Sequence, residues 1–178
     1  MQRDLPVLAE FAAPWSRSLR YTTVASVALL VALTITGFFA GSRQSLLWRA
    51  TLVVVPLAVL LGALPFTVRG YHLTETHIAV RRLGWCSILP LAGLVSVTGV
   101  PGGLGGSVRI FGNGGLFAMA GWFWNRRIGR FRAYATDPGR VVLLRYADGK
   151  NVVVTPDDVQ HFIVRAKTLA KVAGAARL

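Results

Sequence analysis

The residues best suited to binding chemistry lie in Gly121-Trp122-Phe123-Trp124-Asn125-Arg126-Arg127, followed closely by Arg130 and Arg132. Trp122, Phe123 and Trp124 have the size and amphipathic character to enter a lipid headgroup region. The four arginines add charge that suits an anionic lipid or an acidic partner. The plainer reading makes the stretch a strand, a turn and a second strand whose rings face a core. The candidate contact set is therefore Trp122, Trp124, Arg126, Arg127, Arg130 and Arg132, with no catalytic, cofactor or metal residue beside it.

Other chemistries fail on spacing. Eight glycines fall between Gly99 and Gly115. A phosphate loop needs its Gly-rich turn to end in Lys and Ser or Thr, so that amine and hydroxyl reach phosphate and magnesium. Neither Gly-rich stretch does, and no Gly-x-Gly-x-x-Gly fits between a strand and a helix. The glycines suit loops and bulges in a curved sheet. His72, His77 and His161 have no ligand spacing and no Cys or acidic companions. No Gly-x-Ser-x-Gly elbow surrounds a serine. Cys86 is alone, which excludes an intramolecular disulfide and a multi-Cys metal site. Its apolar neighbours, Trp85 to Leu89, suggest a buried structural thiol. Asp157 and Asp158 suit a helix start and Asp148 a turn, so acid–base catalysis has little to draw on. An enzyme is not expected.

The elements that would position the arginines are mainly strands. Tyr71 to Thr74 and His77 to Leu83 flank a tight turn at Glu75-Thr76. In the second of these, Ile78, Val80 and Arg82 share one face, and Ala79, Arg81 and Leu83 the other. Trp85 to Leu89 and Leu91 to Val100 follow. Gly129 to Thr136 alternates, with Arg130, Arg132 and Tyr134 opposite Phe131, Ala133 and Ala135. Arg140 to Tyr146 and Asn151 to Val154 are joined through Asp148-Gly149, a hairpin signal. Thr155-Pro156-Asp157-Asp158 then opens a helix, with Thr155 as cap and Pro156 at the first position. Its apolar stripe is Val159, Phe162, Ile163, Ala166, Leu169 and Ala170, and Gly174 is expected to stop it.

Ahead of these strands stand two uncharged runs, 22 residues between Arg20 and Arg43 and 19 between Arg49 and Arg69. A hydrocarbon core about 30 Å thick needs roughly 20 apolar helical residues. The expected organisation is a leader (1–20), a transmembrane hairpin (21–68, spans about 21–41 and 47–67), a domain (69–173) and a tail (174–178). Pro56 should kink the second span and Pro65 end it. Phe38-Phe39-Ala40-Gly41 offers small residues for signal-peptide cleavage, but the long leader and the second run argue against that. Arg3, Arg17 and Arg20 before the first span, with Arg69, Arg81 and Arg82 after the second, outnumber Arg43 and Arg49 between them. Both ends therefore read as cytoplasmic, at a bacterial inner membrane.

The net charge of +13 is concentrated after the spans, where fifteen basic residues face five acidic ones. Such a domain near a cytoplasmic leaflet is drawn to anionic lipid by roughly 1 kcal/mol per basic residue at the surface. Nucleic acid is not expected, because no helix-turn-helix, zinc-finger or RNA-recognition signature is present.

The segments Arg109 to Phe117, Gly129 to Thr136 and Val152 to Asp158 with Phe162 resemble a bacterial pleckstrin-homology (PH) domain, over about residues 69–170. The resemblance implies two near-orthogonal antiparallel sheets of about seven strands, closed by a C-terminal helix. It implies neither an agreed ligand nor catalytic residues. The expected function is a non-enzymatic, membrane-anchored binding module that presents this basic domain to a protein, a peptide or anionic lipid. The alternative is a structural or assembly subunit packing through its spans, for which Thr34, Gly37 and Gly41 offer close helix contacts.

Overall fold

The computed structural model describes residues 6–39 and 45–175. Gly41 and Arg43 lie outside the described residues, as does Arg3. Helix α1, Arg17–Phe39, begins where the Ser16 hydroxyl accepts the Leu19 N–H at 3.1 Å. That start precedes the uncharged run, so the first turn of α1 belongs to the protein domain. Helix α2, Leu46–Ala63, is capped by Ser45, and Pro56 lies buried inside it. A 3-10 turn, Leu64–Phe66, holds Pro65 and ends the helical stretch as expected. Both helices are long and apolar enough to cross a membrane. Unlike core helices, they carry exposed apolar side chains such as Leu29, Phe38, Leu47 and Leu61. A Cβ on Gly37 would come within 2.6 Å of Leu52 Cβ, so this glycine lets α1 and α2 pack closely. Gly37 is thus engaged inside the hairpin, while the Thr34 hydroxyl bonds back to the Leu30 carbonyl.

The remainder is a mainly-β domain of two sheets and a closing helix, a PH-like architecture. Strands β1 (Ala9–Ala12), β2 (Val68–Leu73), β3 (His77–Arg82) and β4 (Cys86–Pro90) form one sheet in the order β1-β2-β3-β4. Strands β5 (Leu94–Gly99), β6 (Val108–Gly114), β7 (Met119–Asn125), β8 (Gly129–Ala135), β9 (Val142–Tyr146) and β10 (Asn151–Val154) form the other, ordered β5-β9-β10-β8-β7-β6. All neighbours are antiparallel except β8 and β10. Among the described residues the strands number ten, against the expected seven or so. Part of the Gly-rich stretch is sheet, as β6, and the leader contributes β1, whose Phe11 pairs with Tyr71.

The main core lies between the sheets and under helix α3, Val159–Ala175. Tyr71, Ile78 and Val80 meet Tyr134, Leu144 and Val154 there, with Phe162 and Ala166 of α3 inserted from the end. Val159, Ile163, Leu169 and Ala170 flank them, so the expected stripe faces the core. Burying an aromatic such as Phe162 contributes roughly 1.5–3 kcal/mol. A smaller core on the opposite face of the second sheet joins Phe123, Phe131, Leu143 and Val153 under Leu104.

Three local expectations are corrected. The cap of α3 is Asp158, whose carboxylate accepts the His161 N–H at 3.0 Å. The Thr155 hydroxyl is buried and instead accepts the Thr136 N–H at 2.9 Å, while the Thr155 N–H donates to the Tyr71 hydroxyl at 3.0 Å. Cys86 is exposed rather than buried, because edge strand β4 turns Ser87 and Leu89 inward and Cys86 outward. The helix also runs through Gly174 to Ala175 instead of stopping there.

Candidate functional site

Strand alternation divides the aromatic and arginine-rich stretch. Trp122 pairs with Arg132 across β7 and β8, and Trp124 with Arg130, so all four side chains share one sheet face. Phe123 points to the other side and stacks on Phe131 with ring centroids 6.0 Å apart. The Arg130 guanidinium lies 4.8 Å from the Trp122 ring, a cation–π contact that holds both side chains in place. Trp124 is exposed, whereas Trp122 is half-buried. Arg126 and Arg127 do not join this face. They sit exposed in the β7–β8 turn, where the Asn125 side-chain oxygen accepts the N–H groups of Arg127 at 3.1 Å and Ile128 at 2.8 Å.

The face bearing Trp122 and Arg132 forms one wall of a groove of about 390 Å³. Ile88 and Pro90 of β4 form the opposite wall, with Tyr146 and Lys150 also lining it. Among the described residues strand β4 bonds only to β3, which leaves its other edge open. The Arg82 N–H donates to the Trp85 carbonyl and the Leu91 N–H to the Thr76 carbonyl, both at 2.9 Å. Antiparallel alternation between those bonds turns the N–H and C=O of Cys86 and Ile88 outward. Mostly apolar walls, the Arg132 guanidinium, a Lys150–Asp148 ion pair at 2.6 Å and an open strand edge suit an extended segment better than a small polar molecule.

Buried polar groups are normally hydrogen-bonded. Among the described residues, Arg82 Nε, Ser87 Oγ and the Tyr146 hydroxyl are buried without a partner. Tyr146 lines the groove, whereas Ser87 and Arg82 are turned into the domain interior. Burial, with the nearby Asp148 charge, pushes the Tyr146 hydroxyl up to about 12, so it remains a neutral donor at physiological pH.

Arg82 is the least expected of these groups. The sequence counts it among the basic residues flanking the second span, yet it is only 7% exposed. Its guanidinium lies 4.3 Å from the Trp85 ring, 4.7 Å from Tyr134 and 5.8 Å from Phe66. Desolvation lowers its pKa and the neighbouring Tyr134 opposes that, but a guanidinium stays charged in either case. The signal was present in the alternation that places Arg82 on the face of Ile78 and Val80. Trp85 in turn donates its indole N–H to the Pro65 carbonyl at 2.8 Å, tying the end of α2 to the β3–β4 turn.

The other helix is also fastened to the domain. The Thr23 hydroxyl donates to the Gly115 carbonyl at 3.3 Å and accepts the Phe117 N–H at 3.2 Å. The Trp15 ring lies 6.3 Å from the Phe117 ring. The histidines serve structure: His72 contacts Glu10 at 2.9 Å, and His161 packs edge-on against Phe11. Among the described residues, no three His, Cys, Asp or Glu side chains gather as a metal site would require.

A family model described as "Bacterial PH domain" matches residues 69–170, more than half of the chain. No curated protein and no solved structure matches it significantly.

Proposed function

The chain belongs to the bacterial PH domain family, and from that premise we propose that it is a membrane-anchored binding module without chemistry of its own. The two helices hold the domain against a bacterial inner membrane, with the domain and the leader on the cytoplasmic side. The arginines flanking the spans support that orientation. The pairing of β1 with β2 supports the placement of leader and domain on a common side, since these strands flank the hairpin.

The ligand we propose is an extended, acidic segment of another membrane-associated protein, received in the groove beside β4. One observation carries this reading: the open edge of β4 faces a groove whose far wall presents Trp122 and Arg132. Main-chain bonds to Cys86 and Ile88 would supply affinity by strand addition, and Arg132 would select for a carboxylate. Trp124 and Arg130 extend the same face.

A photoreactive side chain at Ile88 in the full-length protein, irradiated in native membranes, tests the proposal. A discrete protein adduct is expected at position 88, reduced several-fold by Arg132→Glu. A matching probe at Val95, on the opposite edge of the second sheet, should not give that adduct. The same adduct from both probes, or one indifferent to Arg132→Glu, would sink the reading.

A further inference from the structure

We propose that strand β6 is a membrane-contacting edge, laid against the bilayer interface beside the exit of α2. This rests on the membrane part of the function proposed above, and it uses the β6 end of the sheet, away from the β4 groove.

Among the described residues the strand is an outer edge of its sheet, bonded on one side only. Val108 is 61% exposed, Ile110 53% and Phe111 75%, a concentration of apolar surface at an open edge. In water, such an edge invites pairing and aggregation, and proteins blunt it with lysine, proline or covering elements. Among the described residues, β6 carries Arg109 and one bulge, and neither covers Val108, Ile110 or Phe111. The pairing register skips Ile110 between Arg109 and Phe111, so a bulge places this residue outside the regular ladder.

The position of β6 identifies its occupant. Gly62, Ala63 and Phe66, at the domain end of α2, share one gap with Arg109, Phe111 and Asn113 of β6. Just past the strand, Gly115 accepts hydrogen bonds from Thr22 and Thr23 near the start of α1. The strand therefore lies at the level where both helices leave the domain. If those helices span a bilayer, apolar side chains at that level meet its interface. Trp124 pairs with Val108 on the same face, and interfacial depth suits its amphipathic ring. Arg109 is exposed on the strand, and Arg126 and Arg127 sit in the turn beyond Trp124. These guanidiniums complement anionic lipid phosphates. The opposite edge, β5, lies five strand intervals away, roughly 24 Å at the usual spacing, and serves as an internal control.

The test uses the full-length protein carrying Cys86→Ser, reconstituted in vesicles of phosphatidylethanolamine and phosphatidylglycerol. Single cysteines at Phe111, Leu57 and Val95 carry an environment-sensitive fluorophore, and quenching is read from spin-labelled lipid and from aqueous iodide. The label at 111 should be quenched by lipid several-fold more than the label at 95, and iodide should reach it less. The label at 57 should be quenched by lipid whatever happens at 111. Equal behaviour at 111 and 95, with 57 quenched, overturns the inference and leaves the anchor intact. Protection of 111 from iodide without lipid quenching also overturns it, and points to a second copy of the chain covering β6. Loss of quenching at 57 removes the anchor and the inference together. Ile110→Cys repeats the measurement should the Phe111 variant misfold.

Discussion

Strands β4 and β6 are both sheet edges with an open row of backbone groups, but they stand in different company. Beside β4, the chain provides a groove with Trp122, Arg132, Tyr146 and Lys150 facing the edge. Beside β6 the facing side is only the end of α2, with Gly62, Ala63 and Phe66, and Ile110 and Phe111 stay exposed at the height of the helix ends. Open backbone groups thus carry different specificity in the two places. A walled edge can select one extended segment, whereas a bare apolar edge suits a partner as featureless as a lipid surface.

The sharpest way to break this contrast is Gly121→Val. Gly112 and Gly121 face each other across β6 and β7, with φ of 111° and 145°. A Cβ at Gly121 would fall on the Phe111 carbonyl oxygen. Left-handed strain and overpacking together should cost about 2–5 kcal/mol. Hydrogen exchange should then show β6 opening first, with β4 protection retained. Simultaneous loss of both would mean that the two edges are a single cooperative unit.

A smaller effect is expected from Tyr71→Phe, which touches the frame that carries both edges. The Tyr71 hydroxyl donates to the Tyr134 carbonyl at 2.6 Å and accepts the Thr155 N–H, linking the two sheets. Burial drives its pKa up to about 12, so it is neutral throughout the working range. The variant leaves the Thr155 N–H and the Tyr134 carbonyl short of a partner, at about 1–3 kcal/mol. Thermal unfolding should shift accordingly without changing which edge opens first.

Trp85→Phe acts only near β4. It deletes the bond to Pro65 while keeping an aromatic ring against Arg82, and should cost about 1 kcal/mol. Amide exchange at the β3–β4 turn should rise while β6 stays unchanged.

The weakest effect concerns Glu10 on β1. Its hydrogen bond to His72, with the His72 charge and then Arg81, holds the carboxyl below its ordinary value of 4.5. A depressed carboxylate contributes stability that is present above that ordinary value and lost as pH falls through the lower folded value. Protection of the β1 amides should therefore decline on acidification, and Glu10→Gln should flatten the dependence. An unchanged pH profile in that variant would remove Glu10 from the account.

Much of the fold is legible locally. Uncharged length marks the two helices, the 3.6-residue stripe marks α3, and Asp148-Gly149 marks its hairpin. What escaped depends on distant partners. Thr155 looks like a cap until Tyr71, 84 residues away, is seen to engage its N–H and contact its hydroxyl. Cys86 looks buried because its neighbours are apolar, and only the edge position of β4 decides otherwise. β1 has little pattern of its own, since four residues define it and its partner follows the helical hairpin. The candidate site was half legible. Alternation is enough to group Trp122 and Trp124 apart from Phe123, but the wall opposite them comes from β4, which no local pattern places there.

The pairing of β1 with β2 has a consequence for assembly during synthesis. Ala12 pairs with Gly70, so both helices form the loop of one greatly enlarged β-hairpin. A chain emerging from the ribosome cannot close this first sheet until the second helix has been made, and loop-closure entropy opposes early pairing. If the helices enter a bilayer, closure also waits on their insertion. Completion of the first sheet would then report that the anchor is in place, making domain maturation a checkpoint on correct membrane integration.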